Sequence, residues 1–423
     1  MFSQAAPNIP NSNSISSDDT PSSFSSSDHL FPPKPRTRFY HISPRRSAAY
    51  IQQLALRIPR RPHFRRIAWS VIVILQLTAI GALIWLALIV TVANRLRIPH
   101  PHNGLSEIVQ TYSAPNATHP ASPTWLKDFS NDLIPVQCHS HNDYWHRVPL
   151  YEGLAAGCVS TEADIWIGNT PDGQVDLFVG HSKKSLSQSR TLRSLYLDPL
   201  VDILTHQNSV TSQNLTHSAD TEGFGNTSLT GVFSMAPDTS LVLLLDFKIT
   251  GEAIWTEVVS QLDGLRSRGW LTYWTPAEGV VQRPITIVGS GDAPFDAITA
   301  NTTYRDIFYD APLTKLSDVD TAYNSNNSYY ASTSLSEAVG MVMFGSFTSK
   351  QKSKAAGQVQ RAEDLGLKSR YWDTPGWPVG WRNRIWEELV RLQASVLNAD
   401  DLTAAARWDW EMCVVAGVNI CNK

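Results

Sequence analysis

The chain has 423 residues, of which 42% are apolar and 17% charged, with a formal net charge of −3. That composition excludes a wholly disordered, collagen-like or disulfide-dense chain, and the near-neutral balance argues against a nucleic-acid partner. At about 150 residues per domain the length predicts two or three units. The sequence sets no oligomeric state.

Residues 1–66 carry ten Lys and Arg against three Asp, and nine of the seventeen residues from Asn11 to Ser27 are Ser. Such a stretch buries too little apolar surface to offset its ordering entropy, so it is predicted to be a disordered basic tail. Ile67 to Asn94 then runs without a charged residue. As a helix it would measure about 40 Å, enough for a bilayer core of about 30 Å. A buried soluble helix rarely runs so far without a polar face. A cleaved signal peptide starts nearer the N-terminus and is shorter.

Arg57, Arg60, Arg61, Arg65 and Arg66 precede the span, whereas Arg95 and Arg97 follow it. The positive-inside rule then predicts a single-pass membrane protein with a cytosolic N-terminus and the remainder lumenal or extracellular. N-x-Ser/Thr glycosylation sequons at Asn116, Asn214, Asn226, Asn301 and Asn326, and all four cysteines, lie after the span. Both features suit an oxidising secretory compartment. Four cysteines allow three pairings.

Residues 95–130, rich in Pro, His, Asn, Ser and Thr, are expected to form a stalk. Residues 131–423 suffice for one large domain. Short apolar runs mark strands at 134–138, 159–166, 241–247, 285–289, 306–310, 328–332, 368–372 and 394–398. Helical stretches fall at 149–156, 192–207, 251–267, 349–365, 383–393 and 402–415. Eight alternating strands and helices predict a closed parallel TIM-type (β/α)8 barrel, although a doubly wound open sheet reads similarly. The fifth and sixth strands lack a clear period. Asn208 to Ser240, polar and bearing two sequons, is expected to be a surface insertion.

In a parallel barrel the chemistry sits at the carboxyl ends of the strands. The first strand leads into His139-Ser-His-Asn-Asp-Tyr144, and the second holds Glu162-Ala-Asp164. The third ends in Asp246-Phe-Lys248, and Val175 to Val179 leads to Gly180-His181. Glu162 and Asp164, two apart on a strand, share a face. Two buried carboxylates on one face repel unless a cation joins them. With Asp246 they form a ligand set for a hard divalent cation, Mg²⁺ or Ca²⁺. Lys248 is placed to meet an anionic oxygen. His139 and His181 are the expected acid and base, because imidazole titrates near neutral pH.

These residues resemble the glycerophosphodiester phosphodiesterase and sphingomyelinase D group of phospholipase C-like barrels. Together with Tyr371-Trp-Asp-Thr-Pro375 and Leu397-Asn-Ala-Asp-Asp401, the His-x-His-Asn-Asp-Tyr string more closely resembles the fungal altered inheritance of mitochondria protein six family, over residues 131–415. The resemblance implies a phospholipase C-like barrel and phosphoric diester hydrolase chemistry, but carries over no substrate; the stalk, which would hold the barrel near a membrane, makes a phospholipid or glycerophosphodiester the expected one. It assigns Glu162, Asp164 and Asp246 to the cation, His139 and His181 to catalysis and Lys248 to the phosphate. His141 competes with His139 for the first catalytic position or binds substrate; Trp372 and Asp373 are candidate pocket residues.

Two other readings compete. His139-x-His141 on a first barrel strand also opens metal-dependent amidohydrolases, but no His follows His217 to complete such a site. A non-catalytic, membrane-anchored barrel that binds a ligand or partner is the second.

Overall fold

A computed structural model describes residues 62–96, 103–111, 129–214, 229–316 and 321–407, with short strand segments at 414–415 and 418–419. The chain divides into two compact units, Met1–Val90 and Thr91–Lys423. Residues 1–61 of the predicted tail, most of the predicted stalk, Asn116, Asn226, Cys413 and Cys421 lie outside the described residues. The stalk expectation is corrected where it is described: the helix Gly104–Thr111 buries Leu105 and Ile108 in the large core cluster.

In the first unit the apolar run is helical. The helix is Pro62–Leu96, 35 residues, or about 52 Å at 1.5 Å per residue. Ile72, Leu83 and Trp85 are exposed on it, as are its other large apolar side chains from Ile67 to Val92. Its length and composition suffice to cross a membrane.

The second unit is built on a closed barrel of eight parallel strands. These are β1 (Val136–Ser140), β2 (Cys158–Asn169), β4 (Leu241–Phe247), β7 (Ile285–Gly291), β8 (Ile307–Pro312), β9 (Ser328–Ser334), β10 (Lys368–Trp372) and β11 (Val396–Ala399). Neighbours run β1-β11-β10-β9-β8-β7-β4-β2, and β1 also pairs with β2, which closes the ring. A strand β3 (Val175–Val179) folds back antiparallel on the far half of β2. A hairpin of β5 (Tyr273–Thr275) and β6 (Gly279–Val281) forms a separate sheet.

The run Leu241-Val-Leu-Leu-Leu-Asp-Phe247 shows how the sequence builds the layers. Leu241, Leu243, Leu245 and Phe247 join the large cluster packed against helices 198–214 and 252–261. The alternate Val242 and Leu244 join Val288, Tyr330 and Val396 in a smaller cluster. A strand covered on both faces reads as a continuous apolar run because neither face meets water. A second outer cluster covers β8 to β10 with helices 349–364 and 379–391. Thr348 and Gln351 start the first of these with a reciprocal capping box.

The two strands without a clear period exist as β8 and β9. Their pattern is obscured because Asp310, Ser332 and Ser334 are buried polar residues. The expected surface insertion is corrected in part. Helix Asp198–Asn214 runs into it, and Val232 and Phe233 near its end are fully buried core residues. The helix expected over 402–415 is Leu402–Arg407, with a strand at Val414–Val415. Of the three possible pairings, Cys138–Cys158 forms a disulfide between β1 and β2.

Candidate functional site

Parallel register brings the acidic residues together. Asp164 on β2 stands directly beside Asp246 on β4, and Glu162 beside Leu244. Glu162, Asp164 and Asp246 each offer an oxygen, and these oxygens lie within 4.8 Å of one another. Lys248 Nζ is 2.8 Å from Asp164 Oδ2 and also pairs with Asp246 Oδ2. Two of the three carboxylates thus share one ammonium. Burial pushes the Asp164 carboxyl above the usual range, and the Glu162 charge adds to this, while Lys248 and Tyr144 oppose it. Burial raises Asp246 as well, against the pull of Lys248. A donor set of three clustered carboxylates, two of them sharing one ammonium, fits a hard divalent cation.

Room for Asp246 depends on Gly291, whose φ is +63°; a Cβ there would sit 2.0 Å from Asp246 Oδ1. Glycine is required at this position for both reasons.

The histidines separate by burial. His139, the expected first catalytic residue, is fully buried on β1, with Nδ1 2.6 Å from Ser160 Oγ. Its Nε2 is 4.0 Å from Glu162 Oε2 and has no hydrogen bond. Burial, with the charges of Arg370 and His141, holds its pKa well below the ordinary value. His139 is therefore the less accessible of the two strand-end imidazoles.

The accessible imidazole of this pair is His141. Its side chain is 24% exposed, with Nδ1 2.7 Å from Asp400 Oδ1 and Nε2 3.7 Å from Glu162 Oε2. Burial lowers its pKa, but the Asp400 hydrogen bond and the Glu162 and Asp400 charges outweigh that and raise it. On the other side of the cluster, His181 Nδ1 lies 3.4 Å from Asp164 Oδ2, and its side chain is 57% exposed. Trp145 packs against the His181 ring at 5.3 Å.

Three neighbours were not legible as site residues. Asn142, at φ 50°, donates its backbone N–H to Glu162 Oε2 at 2.8 Å. Tyr144 donates its hydroxyl to Asp164 Oδ2 at 2.8 Å and lies 3.2 Å from His181 Nδ1. Asp400 reaches His141 because β11 closes against β1. The His-Asn-Asp-Tyr string flagged the segment, but a left-handed turn past a strand end decides where each side chain goes. Buried Arg370 on β10 donates to Asp310 Oδ2 and to Asn398 Oδ1, both at 3.0 Å.

The remaining predicted residues do not join the cluster. Trp372 is exposed at the end of β10, and Asp373 takes φ 56° in an exposed turn. Asn301 and Asn326 are exposed in loops. Asn214 ends the helix that begins at Asp198.

Residues 127–310 match the family model described as AIM6-like phosphodiesterase domain. The chain is 36% identical over 287 residues to "Altered inheritance of mitochondria protein 6 homolog" of Arthroderma benhamiae, covering 66% of this chain and 85% of that one. It is 34% identical over 297 residues to "Altered inheritance of mitochondria protein 6" of Lachancea thermotolerans, covering 64% of this chain and 65% of the relative. The protein of the same name from Eremothecium gossypii is 33% identical over 288 residues, covering 65% and 70%. Among solved structures, the phosphatidylinositol-specific phospholipase C from Listeria monocytogenes aligns at a TM-score of 0.34 and 7% identity, over 66% of this chain and 94% of that chain. With its barrel, its strand-end cluster and these relatives, the chain belongs to the altered inheritance of mitochondria protein 6 family.

Proposed function

We propose that the barrel is a divalent-cation-dependent phosphoric diester hydrolase held at a membrane by the helix Pro62–Leu96. One observation carries the reading: Glu162 and Asp164 on β2 and Asp246 on β4 converge within 4.8 Å, with the accessible imidazoles of His141 and His181 against them. The family's phosphodiesterase domain, matched over residues 127–310, supports the reaction class.

Glu162, Asp164 and Asp246 would hold the cation. When bound, it supplies neutralisation of phosphate charge and Lewis acidity at a phosphate oxygen. Lys248 turns its ammonium to a second phosphate oxygen. His141 keeps its Nδ1 proton on Asp400 and accepts at Nε2 the proton of the attacking hydroxyl, from water or from the substrate itself. His181, held against Asp164 and Tyr144, gives a proton to the leaving oxygen. One proton is taken and one returned, so the step balances. The substrate class is a lipid headgroup or a glycerophosphodiester.

On this reading the barrel lies in the lumen or outside the cell. The arginine asymmetry around the helix, the exposed sequons Asn301 and Asn326 and the Cys138–Cys158 disulfide support this side.

The test is turnover by the full chain in detergent, on a panel of phosphodiesters with Mg²⁺, with Ca²⁺ and with chelator. Cation-dependent release of a phosphomonoester or cyclic phosphate is expected. Turnover indifferent to chelator would reject the metal role. A bound cation with no turnover on any diester would reject the hydrolase and favour a binding module.

A further inference from the structure

Exposed apolar side chains gather on one part of the barrel. Met341, Met343 and Phe344 lie on the connection that leaves β9, and Trp372, Trp377 and Val379 on the segment that leaves β10. Both connections follow the carboxyl ends of neighbouring strands, the same end that carries Glu162, Asp164 and Asp246. Met341 is 78% exposed, Phe344 64% and Trp377 79%.

The fold holds these groups outward. Phe344 sits at φ 54° and ψ 22°, a conformation that costs a non-glycine residue energy. Its ring meets Trp381 edge-on at 5.4 Å, and Arg384 donates to its carbonyl at 2.5 Å. Gly345 follows at φ +72°, so close that a Cβ would sit 2.6 Å from Trp381 Cα. The two connections are therefore joined through the helix Val379–Arg391 into one rim, whose Phe, Met and Trp side chains stay largely exposed.

Charge selects the partner. Lys350 and Lys354 stand on the helix that leaves the rim and are exposed, with no ion pair among the described residues; Arg384, which donates to the Phe344 carbonyl, is also exposed. Lys352 alone is tied, to Glu388 at 2.7 Å. Tryptophan and Phe/Met tips beside lysine and arginine suit the boundary of a phospholipid bilayer, where rings sit among headgroups and cations meet phosphate. A protein partner would be met by depletion of lysine at the patch, not by enrichment.

We propose that this rim docks on a phospholipid bilayer and brings the barrel mouth to a phosphodiester carried there. The substrate class rests on the hydrolase reading, whereas the docking rests on the rim alone.

The test uses the full chain in phosphatidylcholine nanodiscs with and without phosphatidylserine. An environment-sensitive dye is attached at Phe344→Cys or, as control, at Met235→Cys, an exposed position on the connection entering the amino end of β4. Lipids carrying a nitroxide quencher should quench the dye at 344 about twofold or more and leave the dye at 235 bright, with unchanged melting. Equal quenching at both positions, or none at 344, overturns the docking. Loss of signal that follows protein concentration instead of quencher would mark a second copy as the occupant and also overturn it. Replacing Phe344 and Trp377 by Ser should lower turnover of a vesicle-borne diester about tenfold while a soluble diester is turned over as before. Equal loss on both would reject lipid delivery. Quenching at 344 with no hydrolysis of any diester would leave the docking standing and remove the hydrolase reading.

Discussion

Asp164 and Asp246 stand in register on adjacent parallel strands, both directed at the position where Lys248 reaches them. Side chains facing each other across neighbouring strands are about 5 Å apart, so the repulsion between these two is a consequence of the fold. Lys248 offsets part of it, and a divalent cation would offset more.

Cation binding should therefore stabilise the barrel. Mg²⁺ or Ca²⁺ at about 100 times its dissociation constant should add about 2.7 kcal/mol, read as a rise in Tm by calorimetry. Asp246→Asn, which keeps the shape and removes the charge, should bring that rise close to zero and cut turnover by about a hundredfold or more. An unaltered cation response in Asp246→Asn would exclude this residue from the ligand set.

Gly291→Ala is predicted to damage the same site from behind. The added Cβ overlaps Asp246 Oδ1, and the residue must also hold φ +63°. A cost of about 1–3 kcal/mol in stability is expected, together with weaker cation binding. Denaturant melts and titration calorimetry check the two effects separately. A variant as stable and as tight as the parent would show that the loop relaxes freely.

His141 and His139 should fail differently. His141→Ala should lower kcat by about 10²–10⁴-fold with little change in Tm, since its ring is near the surface and its Asp400 partner is exposed. His139→Ala opens a buried cavity and removes a hydrogen bond to Ser160, so its loss should fall mainly on stability, by about 2–4 kcal/mol. If His139→Ala were as stable as the parent yet inactive, the roles would have to be exchanged.

Acid should unfold the protein partly through His139. Its folded pKa lies below the ordinary value of 6.5 because burial disfavours the charged ring. The unfolded chain then binds the proton more readily. Stability is thus full above about pH 6.5 and falls as the pH drops from there through the folded pKa. His139→Gln, neutral throughout, should flatten the Tm profile between about pH 6.5 and 5. An identical slope in both proteins would mean that other groups carry the acid transition.

Much of the architecture was readable because both faces of these strands are buried. Leu241 to Leu245 marks a strand by composition alone, and Glu162-x-Asp164 marks a shared face by period. β8 and β9 read poorly for the opposite reason: Asp310, Ser332 and Ser334 replace the apolar residues that would have given them a period. The acidic trio needed only the spacing within β2 and the end of β4.

Sequence alone determined the apolar helix, the alternation of eight strands and helices, and the identity of the acidic trio, since each depends on residues near one another along the chain. Closure of the barrel decided the rest. It buried His139 and left His141 accessible beside Asp400, which is 259 residues distant. It also turned Tyr144 onto Asp164 and joined the loops of Phe344 and Trp377 into one rim. Those outcomes depend on register and on left-handed turns, which local pattern does not encode.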